Sequence, residues 1–524
     1  MASYNLVRMR KMEFSKLNKK NNDSFSFYWG RKSADTIKQI IDSHPKNNLS
    51  ILDPFLGSGT TLYGSLKSRK NISFIGVELN EMPIQQIKFN LNNLNPDLLE
   101  QMSKDVEYFI AKIEKLYSYN IGKLQISIEK VYLNKDNKIM DPICFDIVLD
   151  GIKSKLDSQH PLFVKLSELY LKRNINFSKK ITKVYLDENT RIAIKKDMYL
   201  SDIYSPLNFY ILEQYKLEFQ ENSEMIFLLS TILHSCKYTD TKYQSQYPYW
   251  FPKKNLVDRN VLMILDKKMK SLIQFSSKNQ IFKENMNTNY ELHNKSILDI
   301  SNQDISDASI DVIITDPPYY DQIAYSEYLK IWEYFTKYKS DLEKEIVVSN
   351  RKNGEKNIEN YLKMIRNAFT ILEKKLKNNG KMYIFFKDTD LKKLSLFLES
   401  VEKSGFKLTD SFYVSTKKRT YKQNSSPLGS LIGETIFQFV KSNHTIEKKE
   451  INVDLEEELY KIFEYYLKHN PDGSFSKFYS EYFALNMYNL NLLKYYKNSK
   501  NVIAIIHKKY KINTTTGAFE LNEN

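Results

Sequence analysis

The chain has 524 residues, of which 42% are hydrophobic and 13% aromatic, a composition typical of a folded protein and not of a disordered one. This length predicts two to four domains. The formal net charge of +15 favours a polyanionic partner such as nucleic acid, although the Lys, Asn, Ile and Tyr usage expected from an AT-rich genome can also raise the charge.

Several classes of protein are excluded by single features. Two cysteines, Cys144 and Cys236, cannot form a disulfide framework or a zinc site built on cysteine pairs. The basic segment Met1–Lys20 lacks the apolar core of a signal peptide, and the longest apolar stretch, Met225–Leu233, is about half of what a bilayer requires. The seven histidines show no metal-ligand spacing. We therefore expect a cytoplasmic protein without a metal site.

An alternation of strands and helices begins at residue 49. Residues 49–56 predict a strand that runs into a turn of small residues, and Thr60–Lys67 predicts a helix. Residues 72–78 predict a second buried strand, which a helix from Pro83 follows. This order indicates a parallel sheet covered by helices.

The first predicted turn carries the motif Asp53-Pro54-Phe55-Leu56-Gly57-Ser58-Gly59-Thr60-Thr61. Its two glycines remove Cβ atoms where a ligand approaches the backbone, and the helix that follows presents free N–H groups. Glu78, about 20 residues further on, ends the second strand, where an acidic residue accepts hydrogen bonds from ribose hydroxyls. The third glycine of the dinucleotide-binding pattern is missing, which argues against NAD or FAD.

Residues 101–290 interrupt the alternation with helical stretches and short polar strands such as Lys123–Lys130 and Lys183–Leu186. This segment is too long for a loop and must form structure of its own. The alternation resumes with a short strand at Ser296–Asp299 and a buried strand at Ile310–Thr315.

The strand Ile310–Thr315 ends in Asp316-Pro317-Pro318-Tyr319. The two prolines fix φ and lack N–H groups, so this backbone offers carbonyl acceptors. The Asp316 carboxylate and the Pro317 carbonyl can both accept from one –NH₂ group, while Tyr319 can stack on the face of a base. The motif therefore predicts a site for a planar amino group, with a turn that is merely stiffened by proline as the alternative.

The remaining elements complete a doubly wound, mostly parallel α/β sheet. They are a helix at 357–377 that stops at Asn378-Asn379-Gly380, a strand at Lys381–Phe386, a helix at Leu391–Ser404, strands at Phe406–Val414 and Gly433–Val440, and a tail whose clearest helix is Glu456–Lys468. We expect four segments: 1–100 and 291–443 as the two parts of the α/β domain, 101–290 as an inserted region that is a candidate for target recognition, and 444–524 as a helical C-terminal region.

The two motifs together resemble those of the S-adenosylmethionine-dependent DNA amino-methyltransferases, and the resemblance extends over about 25–100 and 290–440. It implies a Rossmann-like methyltransferase domain, S-adenosylmethionine as the cofactor, double-stranded DNA as the partner and an exocyclic base nitrogen as the target. The order of the motifs resembles the α-type arrangement, in which the intervening segment recognises the target sequence.

The same resemblance assigns the cofactor contacts. It places Asp53 and the glycine turn at the methionine part, Glu78 at the ribose and Asp299 at the adenine amino group. The aromatic and basic segment Phe25–Lys32 would lie against the cofactor. The predicted cofactor-binding residues are therefore Trp29, Asp53, Phe55, Gly57, Ser58, Gly59, Thr60, Glu78 and Asp299. The alternatives are that Phe25–Lys32 packs on the core and that Asp299 is a surface residue.

The resemblance also assigns the chemistry to Asp316, Pro317, Pro318 and Tyr319. Aspartate at the first position of this motif leans towards N6 of adenine, because the N4-cytosine members more often carry serine there. Methylation of cytosine N4 or of an RNA base remains open. A DNA-binding subunit without turnover is the alternative from another class, against which intact Asp316, Gly57 and Glu78 argue.

Two aromatic stretches, Tyr319–Tyr328 and Tyr247–Lys254, resemble a less studied branch of large bacterial methylases that occurs in restriction or phage-defence settings. A restriction endonuclease or another defence protein is therefore a possible partner. The second stretch suits base stacking and phosphate contact, which makes Tyr249, Trp250, Lys253 and Lys254 candidate DNA-binding residues. Packing of its aromatic rings into the core is the alternative. Tyr421–Ser426 is a further candidate for lining the base pocket.

Overall fold

The structure is a computed structural model that describes residues 24–26, 28–91, 95–136, 139–240, 248–250, 252, 254–278, 288–354, 356–414, 433–442, 454–470, 474–493, 501–512 and 519–521. The strands are β1 (Asn48–Asp53), β2 (Asn71–Glu78), β3 (Ser118–Ile121), β4 (Leu124–Asp136), β5 (Ile139–Leu149), β6 (Ile152–Asp157), β7 (Leu256–Arg259), β8 (Thr288–Asn294), β9 (Ile310–Thr315), β10 (Leu376–Phe386), β11 (Phe406–Val414), β12 (Glu434–Lys441), β13 (Tyr510–Ile512) and β14 (Phe519–Leu521).

The helices are α1 (Ala34–Asp42), α2 (Thr60–Leu66), α3 (Glu81–Leu91), α4 (Pro96–Ile113), α5 (Phe163–Ser178), α6 (Pro206–Glu218), α7 (Ser223–Cys236), α8 (Val261–Lys278), α9 (Tyr325–Tyr328), α10 (Lys330–Thr336), α11 (Ile358–Lys375), α12 (Leu391–Glu402), α13 (Leu455–His469), α14 (Phe475–Lys477), α15 (Ala484–Asn489) and α16 (Val502–Lys509). A π-helical turn, Phe478–Phe483, joins α14 to α15.

A seven-stranded sheet with the order β11-β12-β10-β9-β1-β2-β8 organises the molecule. The neighbours from β10 to β8 pair in parallel, whereas β12 runs antiparallel to both β10 and β11. The chain winds from β1 towards β8 on one side and from β9 towards β11 on the other. The carboxyl ends of β1 and β9 therefore meet where the winding direction changes, which is where doubly wound sheets bind ligands.

Both faces of this sheet are covered, as the alternation of its side chains requires. Along β9, Val312 and Ile314 pack in the cluster that contains α1 and α2, while Ile313 packs in the cluster that contains α11 and α12. The C-terminal helices α13 to α16 contribute buried residues such as Phe463 and Val502 to this second cluster. The C-terminal region is therefore packed onto the α/β domain.

The inserted region combines a helical core with a second, antiparallel sheet. Helices α4 and α6 to α8 form the helical core, and β3 to β6 form the sheet, to which β7 adds by pairing with β4. Helices α9 and α10, which follow the Asp-Pro-Pro-Tyr motif, are also part of this core, and the Trp332 indole N–H donates to the Ser230 carbonyl at 2.7 Å. The segment after the motif is thus anchored in the inserted region.

The doubly wound, mostly parallel fold is confirmed, and the ranges predicted for β9 and β11 agree with the structure. Four details differ. Strand β8 crosses the predicted boundary at residue 290, and the predicted strand Ser296–Asp299 is a turn with a 3₁₀ helix at Ile297–Asp299. The helix ends earlier than predicted, at Lys375, and Asn378–Gly380 lies within β10 where its pairing with β9 is irregular. Lys183–Leu186 forms no strand, although Tyr185 makes an isolated β-bridge to Tyr199.

Candidate active site

A pocket opens at the carboxyl ends of β9, β1 and β2 and encloses about 900 Å³, including the part that is open to solvent. It brings together the two sequence motifs, which are far apart along the chain. Of the residues predicted to bind a cofactor or a base, those that line it are Trp29, Asp53, Phe55, Gly57, Ser58, Thr60, Glu78, Asp316 and Pro318.

The turn after β1 depends on its two glycines. Gly57 and Gly59 have φ of +50° and +79°, a region that side chains rarely adopt. A Cβ on Gly59 would also lie 2.8 Å from side-chain atoms of Ile87 on α3, so that side chain would have to shift. The glycine at position 59 is therefore required by the backbone angle and by the close approach of α3, while Gly57 lines the pocket.

Glu78 fixes this turn from the end of β2. Its Oε2 accepts from the Gly57 N–H at 2.8 Å, and its Oε1 accepts from the Asn80 N–H at 2.9 Å. The side chain is buried, and burial raises the pKa of Glu78 despite these hydrogen bonds. Because each carboxylate oxygen can accept more than one hydrogen bond, Glu78 can hold the turn and a ligand hydroxyl together.

Asp53 connects the two motifs through β1 and β9. Its Oδ1 accepts from the Phe55 N–H at 3.1 Å and from the Thr315 hydroxyl at 2.9 Å, and Thr315 immediately precedes Asp316. The residue is 3% exposed, and this burial raises the pKa of Asp53 to about 7.

The contribution of Asp53 to the free energy of unfolding should consequently decrease as the pH rises from about 4 to 7. Over this range the folded Asp53 retains a proton that an unfolded aspartate has lost, so the folded state binds more protons and is destabilised by raising the pH. The full effect is roughly 4 kcal/mol. Urea unfolding at pH 5 and pH 8 should show a smaller decrease for Asp53→Asn than for the parent. The exposed Asp35→Asn is the control; an equal decrease in the parent and Asp53→Asn would contradict this result.

Asp316 is held by two donors. The Lys32 ammonium lies 3.0 Å from its Oδ2, and the Tyr319 hydroxyl donates to its Oδ1 at 2.7 Å. Burial raises the pKa of Asp316, while the positive charge of Lys32 opposes this rise. The two contacts orient the carboxyl group and leave its remaining lone pairs for a further donor.

The rest of the Asp-Pro-Pro-Tyr motif is buried around this carboxyl group. Tyr361 donates its hydroxyl hydrogen to the Pro318 carbonyl at 2.9 Å, which fixes the second proline. Tyr319 is 8% exposed, and its ring meets Phe386 edge-on at 5.3 Å. The expectation that Tyr319 stacks on a base is therefore corrected: its ring is packed in the core, and its hydroxyl positions Asp316.

Sequence reasoning missed several side chains of the pocket. Lys32 also lies 3.7 Å from Glu434 and 5.6 Å from the centre of the Phe385 ring. The rings of Tyr28 and Tyr325 stack at 5.5 Å with 9° between their planes. The predicted segment Phe25–Lys32 was a signal for Tyr28 and Lys32, and the aromatic stretch Tyr319–Tyr328 contains Tyr325, whereas no local pattern marked Glu434.

Asp299 does not line the pocket. Its carboxylate is 42% exposed and pairs with Lys344 at 2.7 Å, while the neighbouring Ser296 and Ile297 do line the pocket. The predicted strand is a 3₁₀ turn at Ile297–Asp299, and Lys344, the partner of Asp299, lines the pocket. Trp29, in contrast, lines the pocket with its ring edge-on to Tyr328 and Trp332 at 5.1 and 5.4 Å.

The residues predicted to contact DNA lie in different environments. Tyr249 is 1% exposed and donates its hydroxyl hydrogen to the Glu327 carbonyl, so it packs in the core and its ring cannot stack on a base. The Trp250 carbonyl accepts from the buried Lys237 at 2.6 Å, and Lys254 is exposed. Lys253 and the stretch Tyr421–Ser426 lie outside the described residues.

Two features are absent from the residues that the structure describes. Within these ranges, no group of three or more His, Cys, Asp and Glu side chains is arranged to bind a metal ion. No helix in the same part of the chain combines the length and apolar character needed to cross a membrane.

The chain matches the model of a protein family. The model of the N6/N4 DNA methylases, described as DNA methylase, matches residues 9–89 and 310–516, which is more than half of the chain. The matched ranges contain the glycine turn, Glu78 and the Asp-Pro-Pro-Tyr motif. No curated protein matches the chain.

Solved structures with some likeness are methyltransferases of several kinds. They include a TehB-like SAM-dependent methyltransferase from Corynebacterium glutamicum (15% identity, 33% of this chain, 64% of that chain, TM-score 0.16). Others are the rRNA methyltransferase aviRa from Streptomyces viridochromogenes (9%, 79%, 88%, 0.25) and phosphoethanolamine N-methyltransferase 2 from Haemonchus contortus (9%, 77%, 96%, 0.18). The chain spans 64% of the Corynebacterium protein and 57% of a putative methyltransferase from Thermoplasma acidophilum. These low TM-scores carry no argument about activity.

Proposed function

The chain belongs to the N6/N4 DNA methylase family, and we propose that it transfers a methyl group from S-adenosylmethionine to N6 of adenine in double-stranded DNA. The observation that carries this proposal is the shared pocket, in which the Asp316 carboxyl group faces the same space as the glycine turn and Glu78. The same cavity is therefore lined by a carboxyl group that can bind an amino nitrogen and by a turn suited to a nucleoside.

The pocket residues fit S-adenosylmethionine. Gly57 and Ser58 of the turn line the pocket, and the cofactor has no pyrophosphate that would need a third glycine. Asp53 and Glu78 bring acidic groups to a ligand that carries an ammonium group, ribose hydroxyls and a sulfonium. When bound, the cofactor supplies a methyl group on a positively charged sulfur, so it is itself the electrophile.

Asp316 acts on the target amino group. It and the Pro317 carbonyl accept the two amino hydrogens, which draws the nitrogen towards tetrahedral geometry and exposes its lone pair. Lys32 and Tyr319 hold the carboxyl group in the orientation that this requires. A carboxylate is the better acceptor here, because a protonated carboxyl group would direct a hydrogen at the amino group.

The target base has to leave the duplex before it reaches Asp316, at a cost of a few kcal/mol. The net charge of +15 suits phosphate contacts that offset this cost. Adenine is favoured as the target by aspartate at the first motif position, and N4 of cytosine is the second candidate. We assign sequence recognition to the inserted region, since the α/β domain grips a single base. A restriction or defence partner would be consistent with the aromatic stretches.

The decisive experiment is methylation of DNA by the purified full-length chain, followed by sequencing of modified bases. N6-methyladenine in a fixed sequence context is the expected product. N4-methylcytosine would contradict the choice of base, and methylated RNA with unmodified DNA would contradict the choice of substrate. Absence of transfer to any nucleic acid, with retained cofactor binding, would favour a binding subunit.

Glu78→Ala should weaken S-adenosylmethionine binding at least about tenfold, the equivalent of roughly 1.4 kcal/mol. The variant loses hydrogen bonds between a carboxylate and ribose hydroxyls, and it also releases the Gly57 N–H that Glu78 holds. Isothermal titration measures the affinity, and thermal unfolding verifies that the variant is folded. Unchanged affinity would show that Glu78 does not bind the ribose.

Replacing Lys253 and Lys254 together with Ala should weaken DNA binding for all sequences and reduce its salt dependence. Each lost phosphate contact lowers the slope of log affinity against log salt by about one. Fluorescence anisotropy across a salt series measures this slope. Lys104→Ala, whose ammonium pairs with Glu100 on α4, is the control. A slope equal to that of the parent would show that the two lysines do not meet phosphate.

A further inference from the structure

Glu345 is a buried carboxyl group in the pocket that no sequence motif marks. It lies between α10 and α11, is 5% exposed, and lines the cavity beside Glu78 and Asn80. Its Oε1 accepts from the Ser326 N–H at 3.1 Å, and the Ser326 hydroxyl donates to the Asn80 side-chain carbonyl at 3.0 Å. These contacts fix the carboxyl group near the carboxyl end of β2.

The neighbouring contacts locate Glu345 along the length of the pocket. Lys344 pairs with Asp299 at 2.7 Å, so this segment lies against the turn that follows β8. Strand β8 neighbours β2, whereas Asp316 follows β9 on the opposite side of β1. Along this edge of the sheet, the lining residues therefore run from Asp316 after β9, past Glu78 at the end of β2, to Ser296 after β8. Glu345 lies at the β2 end of this row, where Ser326 and Asn80 hold it.

This arrangement indicates where each part of the cofactor would lie along the pocket. The methyl group has to lie near Asp316, and Glu78 is the ribose contact, so the purine extends towards the β8 end. Asp299, the residue that the resemblance assigned to the adenine amino group, does not line the pocket and is paired with Lys344. We propose that Glu345, and not Asp299, binds the exocyclic amino group of the cofactor's adenine.

The chemistry of Glu345 suits an adenine edge. Burial raises the pKa of Glu345 to about 8, and the nearby carboxylate of Glu327 contributes to this rise. A carboxyl group that keeps its proton at pH 7 offers one acceptor and one donor, which match the amino group and the adjoining ring nitrogen N1 of adenine. A polar group buried in this way is stabilised when a ligand completes its hydrogen bonds.

The test uses two ligands: S-adenosylhomocysteine, and its analogue whose purine lacks the 6-amino group. This inference rests on the proposed cofactor but not on DNA as the substrate, because both titrations are made without nucleic acid. The parent should bind S-adenosylhomocysteine about tenfold more tightly than the analogue, and Glu345→Met should lose this preference. Its affinity for the analogue should stay within about twofold of the parent's. Glu345→Gln, which also offers an acceptor and a donor, should restore most of the preference, and Asp299→Ala should keep it.

Three results would overturn the assignment. The first is that Glu345→Met retains the parent's preference for S-adenosylhomocysteine. The second is that it binds both ligands more weakly by the same factor, which would indicate a ribose contact or a role in folding. Asp299→Ala could lose the preference instead. Glu345→Ala serves as a second variant if the methionine side chain does not fit, with thermal unfolding as the check of folding. Loss of preference in Glu345→Met alongside unmodified DNA would support this inference while refuting the proposed substrate.

Discussion

Asp316→Ala should reduce methyl transfer to DNA by at least a factor of about 10² while leaving the affinity for S-adenosylmethionine nearly unchanged. The variant removes the acceptor that polarises and orients the target amino group. The residues that surround the cofactor, including Glu78 and the glycine turn, keep their contacts because none of them depends on the Asp316 side chain. The loss should therefore appear in turnover and not in cofactor binding.

Transfer of a tritiated methyl group to DNA and isothermal titration of the cofactor separate these two effects. Asp266→Ala is the control, since this carboxylate is exposed and its partner Lys270 on α8 is exposed as well. The control should retain the parent's turnover. Turnover near the parent's level in Asp316→Ala would show that this residue does not take part in the chemistry. A loss of cofactor affinity as large as the loss of turnover would assign Asp316 to cofactor binding.

The parts of the site that the sequence predicted are those determined by local chain properties. The run Ile310–Thr315 is buried throughout, so its boundaries and the position of Asp316 after it follow from the apolar pattern alone. The glycine turn is similar, because Gly57 and Gly59 are required by their positive φ angles. Glu78 follows from its place at the end of the next buried strand.

The parts that the sequence did not predict depend on contacts between distant segments. Lys32 meets Asp316 across 284 positions of the chain, and Glu434 joins them only after a further strand has been added to the sheet. Tyr249 has the composition of a DNA-contacting residue, yet its position beneath α9 is decided by packing of the inserted region. Asp299 was assigned by the family resemblance, but a 3₁₀ turn replaces the expected strand and Asp299 does not line the pocket.

Lys32→Met should shift the pH dependence of methyl transfer to higher pH. In the parent, burial raises the pKa of Asp316 and the Lys32 ammonium opposes this rise. Without the ammonium, a larger fraction of Asp316 is protonated at pH 7, and a protonated carboxyl group directs a hydrogen towards the amino group that it should bind. A tenfold fall in the ionised fraction of Asp316 corresponds to roughly 1.4 kcal/mol, so a loss of activity of about this factor is expected at pH 7.

The rate of transfer, kcat/KM for DNA, should be measured from pH 6 to pH 9.5 for the parent, Lys32→Met and Lys32→Arg. The methionine variant should recover part of its activity at the alkaline end, where Asp316 loses its proton, and the arginine variant should stay closer to the parent. Lys38→Met, which removes a lysine from a more exposed pair with Asp42 on α1, should leave the profile unchanged. A uniform loss in Lys32→Met at every pH would mean that Lys32 positions the carboxyl group by packing, since a charge effect on Asp316 has to disappear once that carboxyl group is ionised.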